Sequence, residues 1–238
     1  MFPFSALSRP LRMYQIGRSR LKRPSPSRET PFQPNRYETA FANLILACTS
    51  AWALGTTGCF SRQPPIPMAA VTFYMLLLLA VVGVGRYGNP QYGEALRASY
   101  DTMIFLCILV GTPCYAAQFG AMYNVAGKFP NIVVALALYL SIWHILGKFY
   151  SSKRRGKSYE SDWLMSVGVK SVVFVSVAFV LVLCYQHLNY FGCASAIAFS
   201  FCFFFTGTTG TVYNLPAIDL FLYQMSFFNV YSALALKD

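Results

Sequence analysis

Charged side chains are scarce in this sequence. Only 11% of the 238 residues are charged, whereas an ordinary soluble domain carries roughly 25%. Hydrophobic residues make up 56% of the chain, and they form long blocks separated by short polar connections. Such blocks lack the polar face that an amphipathic element presents to water. The shortage of charge therefore excludes a water-exposed surface over most of the chain and predicts an integral membrane protein.

Histidine is also rare, and the familiar catalytic motifs are missing. His144 lies near the C-terminal end of the fourth apolar block and His187 just after the C-terminal end of the fifth. Consecutive blocks cross in opposite directions, so most of a hydrocarbon core of about 30 Å separates the two histidines. The seven cysteines form no CxxC pair and have no zinc-ligand spacing. HExxH, GxSxG and Walker-type loops do not occur. We therefore expect no metal, no cofactor and no enzymatic activity.

Acidic residues are few, and the basic residues are unevenly placed. Lys and Arg number 19 against 8 Asp and Glu, which gives a net charge of +11. In a soluble chain this excess would suggest nucleic acid, but eight basic residues lie in positions 1–36 and five in positions 148–157, outside the apolar blocks. Such clusters orient a membrane protein or contact anionic lipid head groups. We expect the lipid bilayer as partner and no nucleic acid. The basic cluster assigned to lipid consists of Lys153, Arg154, Arg155 and Lys157.

Seven apolar blocks predict the membrane crossings. A crossing helix needs about 20 residues, with a lower limit near 17. The sixth block is the shortest and the seventh carries several polar residues, so six spans with a re-entrant last segment are the alternative. The predicted fold class is an all-α integral membrane protein, a bundle of six to seven transmembrane helices. Residues 1–38 form a basic, Pro/Ser-rich, mostly disordered tail, and residues 39–238 form the multi-pass helical domain. The blocks cover residues 40–60, 67–85, 102–120, 132–149, 164–185, 190–206 and 212–236.

Basic residues in alternate connections predict the orientation. Fifteen Lys and Arg fall on the side of the N-terminal tail and three on the other side, and the nineteenth, Lys170, lies within the fifth block. Positive charge is retained on the cytoplasmic or matrix side. This predicts a cytoplasmic N-terminus in an endomembrane or the plasma membrane. The tail is rich in Arg and has no acidic residue before Glu29, as in mitochondrial presequences, so the mitochondrial inner membrane is the alternative location.

Polar and ionisable groups inside the predicted spans are the candidate functional residues, because a charge in hydrocarbon costs at least about 2.5–3.5 kcal/mol. Asp219, Tyr223 and Ser226 lie at i, i+4 and i+7 of the last block, which places them in one stripe. This stripe faces other helices or water, and two interpretations remain open: interhelical packing, or a site for a solute, ion or proton. Asp101, near the start of the third block, is expected to cap a helix N-terminus.

Small residues in the sixth block predict close helix packing. Gly192, Ala196 and Ser200 recur every four residues, a spacing that lets helix backbones approach each other. The contact falls within the chain or in a homo- or hetero-oligomer. Nearby, Cys184 and Cys193 flank the connection between the fifth and sixth blocks. They form either a disulfide, if that side is an oxidising compartment, or two independent buried thiols.

No motif or residue spacing selects a protein family, so the predicted function rests on these features alone. We expect a non-enzymatic scaffold, assembly or trafficking component that acts through helix packing. The alternative is a small-solute or ion transporter or channel that uses the polar residues of the last helix. The surroundings of Asp219, a wet cavity or a neighbouring helix, distinguish the two.

Overall fold

The computed structural model describes residues 36–58, 68–89, 91–125, 129–151, 159–208, 210–212 and 215–237, without the side chains of 129–130, 148–151 and 159–165. Most of the predicted N-terminal tail, residues 1–35, lies outside the described residues. The same holds for the basic cluster of Lys153, Arg154, Arg155 and Lys157. Its assignment to lipid therefore stays a prediction.

Helical rods follow one another along the described chain. Two of them contain π-helical turns, which continue the rod without a break. The rods are α1 (Tyr37–Thr56), α2 (Met68–Gly88), α3 (Arg97–Leu106) with a π-helical turn (Cys107–Gly111) and α4 (Thr112–Met122), α5 (Phe129–Ser151), α6 (Tyr159–Gln186), α7 (Tyr190–Ser200) with a π-helical end (Phe201–Thr206), and α8 (Ala217–Ala235).

Four of the described helical segments are long and apolar enough to cross a membrane. They are Tyr37–Thr56, Met68–Gly88, Arg97–Met122 and Ser166–Gln186. Asn131–Gly147 and Tyr190–Thr206 are apolar but shorter. The chain therefore has the architecture of an all-α membrane protein.

Helix α1 carries its polar side chains inside and its apolar side chains outside. Thr39, Asn43 and Ser50 are fully buried, whereas Phe41 and Leu44 are 58% and 49% exposed. A surface helix in water has the reverse distribution. In a bilayer, lipid solvates the outward apolar side chains, and buried polar groups must find partners within the protein. The distribution on α1 is the strongest local indication that lipid surrounds the bundle.

The third rod changes its helical repeat where it meets α2. The Thr72 hydroxyl of α2 donates a hydrogen bond to the Gly111 carbonyl at 2.7 Å. Pro113 has no N–H, so it cannot donate to the carbonyl four residues earlier. The π-helical turn Cys107–Gly111 ends two residues before this proline, and the rod continues as α4 from Thr112. The predicted third span is therefore continuous but not uniformly α-helical.

The last helix begins later than the apolar pattern predicts. The predicted block began at residue 212, but β1 (Thr211–Val212) pairs antiparallel with β2 (Leu215–Pro216), and α8 starts at Ala217. Pro216 precedes the helix with φ −57° and ψ 128°. Gly207, with φ of 64°, ends the preceding rod, because glycine adopts positive φ without steric cost.

Helix α8 is enclosed by its neighbours. Twelve of its 19 residues are buried, and it packs against α1 and α7. A helix in this position meets little lipid, so polar side chains do not prevent it from lying within the bundle. This enclosure explains how the seventh predicted block, which carries several polar residues, forms a regular helix.

Gly83 allows α2 to approach α1 closely, and Gly83→Ala tests that contact. A Cβ at this position would overlap the side chain of Asn43 and approach the Tyr100 ring to 2.8 Å. We expect Gly83→Ala to destabilise the protein by about 1–3 kcal/mol, the usual cost of overpacking, measured as thermal unfolding in lipid nanodiscs. Gly147→Ala is the control because nothing lies within 4 Å of its Cβ position. Equal melting temperatures for the two variants would contradict the packing.

Candidate intramembrane polar site

The predicted stripe of α8 turns largely inward. Asp219 and Ser226 are 7% and 6% exposed, and Tyr223 is half-buried. The Ser226 hydroxyl donates to the Leu222 carbonyl of its own helix at 2.9 Å. Ser226 is thus satisfied locally and requires no external group.

Asp219 differs from the other members of the stripe because part of its carboxylate is unpaired. It lies in the first turn of α8, where the helix dipole favours negative charge. Its Oδ1 atom is buried and has no hydrogen-bond partner among the described residues. A buried polar atom without a partner is costly. Asn229 Oδ1 and Ser232 Oγ of the same helix are also buried without a partner among the described residues, so Asp219 is the ionisable one of three such groups on α8.

Asn229 is a polar residue of α8 that binds another helix. Its side chain is fully buried, and Nδ2 donates to the Ser50 hydroxyl of α1 at 2.8 Å. Ser50 in turn donates to the Leu46 carbonyl at 2.7 Å. The predicted stripe omitted Asn229, although it lies three residues after Ser226 and therefore on a neighbouring face. Its partner, 179 residues away, left no signal in the sequence.

Arg86 forms a second polar cluster where α2 ends and α3 begins. Its side chain is only 13% exposed, and Nη1 lies 3.0 Å from Asp101 Oδ1. The guanidinium carbon lies 4.9 Å and 5.0 Å from the ring centroids of Tyr87 and Tyr100, within cation–π range. The Tyr100 hydroxyl donates to Asn43 Oδ1 at 3.3 Å. The cluster thus joins three helices and compensates a largely buried cation.

The expected capping role of Asp101 is wrong. Helix α3 begins at Arg97, and its N-cap is Leu96, which makes no side-chain capping bond. Asp101 lies further along the helix and pairs with Arg86 instead. The apolar block started too late to reveal the helix start, because the first turn of α3 is polar.

Asn189 forms a third cluster at the opposite end of the bundle. Its Oδ1 accepts a bond from the Gly192 backbone N–H at 2.8 Å, which caps α7. Its Nδ2 donates to the Ala235 carbonyl of α8 and to the Tyr123 hydroxyl after α4, each at 2.9 Å. Sequence reasoning missed this residue, although Asn before a helical block is a recognised N-cap signal.

The small residues of α7 lie in different surroundings. A Cβ at Gly192 would overlap the Cys184 sulfur of α6, so the close approach there is to α6. Ala196 is buried, and Ser200 donates to the Ala196 carbonyl at 2.8 Å. The interhelical hydrogen bond of α7 comes from a residue outside this set: Ser195 shares one with Tyr115 at 2.7 Å.

The hypothesised disulfide is not formed in the structure. Cys184 and Cys193 are both free thiols. Cys184 lies directly against the α-carbon of Gly192, and Cys193 is one residue, or about 100° of helical rotation, further on. The arrangement matches the alternative of two independent thiols.

The histidines are used in ring contacts at opposite ends of the bundle. His144 stacks on Phe105, and His187 stacks on Tyr123, each with ring centroids 4.0 Å apart. Within the described ranges, no group of three or more His, Cys, Asp or Glu is arranged to hold a metal ion. Comparisons of the chain with protein-family models, with curated proteins and with solved structures find no match.

Asn189→Ala tests the polar cluster at the end of α7. The substitution removes an N-cap and two donor contacts, so we expect a loss of about 1–2 kcal/mol, mostly from the cap. Tyr123→Phe removes only one of these bonds, which in a membrane bundle costs about 0.6 kcal/mol. Chemical or thermal unfolding in nanodiscs measures both. A Tyr123→Phe variant as unstable as Asn189→Ala would show that the cap contributes little.

Proposed function

We propose that the chain is a non-enzymatic, multi-pass membrane protein that serves as a scaffold, assembly or trafficking component. The observation that carries this proposal is the use of the polar groups of α8 between helices. Asn229 binds Ser50 of α1. The Ala235 carbonyl accepts from Asn189. Polar groups that form hydrogen bonds between helices hold the helices together, which supports a role for α8 in a stable framework.

The outer surface of α5 supports the same proposal. Among the described side chains of α5, the buried ones are Val133, Ala137 and Ser141. They recur every four residues and so form one narrow stripe along the helix. Tyr139 and Trp143 are 60% and 57% exposed. They are part of a broad apolar surface that faces away from the bundle, within the bilayer. Such a surface suits lateral packing with lipid or with another membrane-embedded helix.

The second candidate function is a small-solute or ion transporter or channel. One observation favours it: the buried carboxylate oxygen of Asp219 without a partner among the described residues. Intramembrane carboxylates often lie on ion or proton pathways. Tyr223 and Ser226 would then lie further along the same helix.

Ion flux through proteoliposomes separates the two candidates. For a scaffold we expect the native protein and Asp219→Asn to give the low leak of protein-free liposomes, with no difference between them. Crosslinking in native membranes should then yield an assembly larger than the 26.6 kDa monomer. A monomer with flux that falls at least tenfold in Asp219→Asn would replace the scaffold with the transporter.

We also propose seven crossings, with the N-terminus and residues 148–157 on the cytoplasmic face of an endomembrane or the plasma membrane. The mitochondrial inner membrane is the alternative. The charge asymmetry of the connections supports this orientation. Contacts between helix ends support the alternation: Asn189, before α7, donates to Ala235 at the end of α8 and to Tyr123 after α4.

Epitope tags at the two termini test the number of crossings. In cells whose plasma membrane alone is permeabilised, antibody should reach an N-terminal tag on an endomembrane protein but not a tag after residue 238. Full permeabilisation should expose both tags and serves as the control. Equal access to the two tags before full permeabilisation would mean an even number of crossings.

A further inference from the structure

The side-chain amide of Asn229 on α8 is paired at its nitrogen and unpaired at its oxygen. Nδ2 donates to the Ser50 hydroxyl at 2.8 Å. Because Ser50 gives its own hydrogen to the Leu46 carbonyl, the Ser50 oxygen can only accept. This fixes Nδ2 toward Ser50 and turns Oδ1 away from it. Oδ1 is buried and has no partner among the described residues, so the amide presents an acceptor to the inside of the bundle.

Ser232 places a second unpartnered group beside this acceptor. Its hydroxyl oxygen is buried and has no partner among the described residues. Ser232 lies three residues after Asn229 on α8, and side chains at this spacing are neighbours, with Cβ atoms about 5–6 Å apart. Both residues are fully buried. Two adjacent polar groups that do not bond to each other have the separation at which a water molecule bridges polar contacts.

The other two buried unpartnered atoms, Asp219 Oδ1 and Thr39 Oγ1, lie at a different level. Asp219 precedes Asn229 by ten residues, which is about 15 Å along α8. Thr39 precedes Ser50 by eleven residues, which is about 16 Å along α1. Asn229 and Ser232 therefore form a pair of their own.

Tyr115 of α4 lies on the other side of this pair. Its ring packs edge-to-face on Phe228 of α8, with the centroids 5.1 Å apart, and Phe228 lies one turn before Ser232. The hydroxyls of Tyr115 and Ser232 are close enough to interact, although without the geometry of a regular hydrogen bond. Tyr115 and Ser195 share a hydrogen bond of 2.7 Å, and Ser195 gives its hydrogen to the Gly192 carbonyl. Tyr115 is therefore the donor to Ser195, and its oxygen can still accept.

The chemistry of these three side chains defines the ligand. Asn229 Oδ1 and the Tyr115 oxygen both accept, and the Ser232 hydroxyl has a single hydrogen for the two of them. The site is therefore short of one donor. Its groups are an amide and hydroxyls, which would leave the charge of a bound ion uncompensated in a buried place. A small neutral molecule that both donates and accepts fits, and buried water typically makes about three such bonds.

We propose that Asn229, Ser232 and Tyr115 hold a structural water molecule between α8 and α4. The water donates to Asn229 Oδ1 and bonds to the hydroxyl of Ser232, which faces Tyr115. It thereby joins the hydrogen bonds from Asn229 to α1 with those from Tyr115 to α7, so that one polar network connects four helices. The proposal does not depend on whether the chain is a scaffold or a transporter.

Ser232→Ala gives opposite results with and without a partner for the hydroxyl. A buried hydroxyl that bonds to nothing destabilises a fold, so its removal would raise the melting temperature. With the water bound, the variant loses a hydrogen bond, and we expect a lower melting temperature in lipid nanodiscs. Ser176→Ala is the control, because Ser176 is 1% exposed and its hydroxyl donates within its own helix, to the Val172 carbonyl, a bond that adds little to stability. A Ser232→Ala variant that melts at or above the temperature of Ser176→Ala would overturn the proposal.

Labelling with H₂¹⁸O detects the water itself, since direct bonds among the three side chains would also lower the melting temperature of Ser232→Ala. X-ray radiolysis of the full chain, equilibrated with H₂¹⁸O in nanodiscs, turns bound water into hydroxyl radicals that add ¹⁸O to neighbouring rings. We expect ¹⁸O on Tyr115, although this residue is only 2% exposed. Phe73 of α2 is the control because it is also fully buried. After correction for the intrinsic reactivity of the two rings, an unlabelled Tyr115, or equal labelling of Tyr115 and Phe73, would refute the water site.

Discussion

The requirement that buried polar groups find partners without water governs this structure. In hydrocarbon, an unpaired polar group has no solvent to bind, so the polar side chains of α1 and α8 meet each other. The Asn229–Ser50 hydrogen bond of 2.8 Å joins the last helix of the chain to the first. This bond lies where α8 packs against α1, and α7 packs against α8 as well. Twelve of the 19 residues of α8, Asp219 among them, are buried.

Aromatic packing supplies the apolar counterpart of that contact. The Phe228 ring of α8 lies 5.1 Å from Tyr115 of α4 and 5.3 Å from Phe199 of α7, both in edge-to-face geometry. Such pairs contribute about 0.5–1.5 kcal/mol beyond the area they bury. Since lipid is as apolar as the core, shape complementarity of this kind, rather than a hydrophobic driving force, holds membrane helices together.

The polar clusters at both ends of the bundle are paired. Arg86 is compensated by Asp101 and by two tyrosine rings. Asn189 makes three side-chain hydrogen bonds. Ends tied in this way favour a fixed framework, which supports the scaffold proposal. Asp219 Oδ1 is instead one of four buried side-chain atoms that have no hydrogen-bond partner among the described residues.

The sequence by itself determined the broad class, a helical membrane protein, and the approximate positions of its helices, because a membrane helix must be a contiguous apolar block of sufficient length. The sixth predicted block, 190–206, coincides with Tyr190–Thr206, and Asp219 was recognised as an exceptional residue. Only the tertiary structure decided which polar groups are paired. Ser50 and Asn229 are 179 residues apart, and Arg86 seemed to belong to a connection. The sequence of a helix that is apolar on most sides says little about how the helix is rotated or which helices it contacts. Whether a polar group finds a hydrogen-bond partner is therefore decided only when the helices pack together.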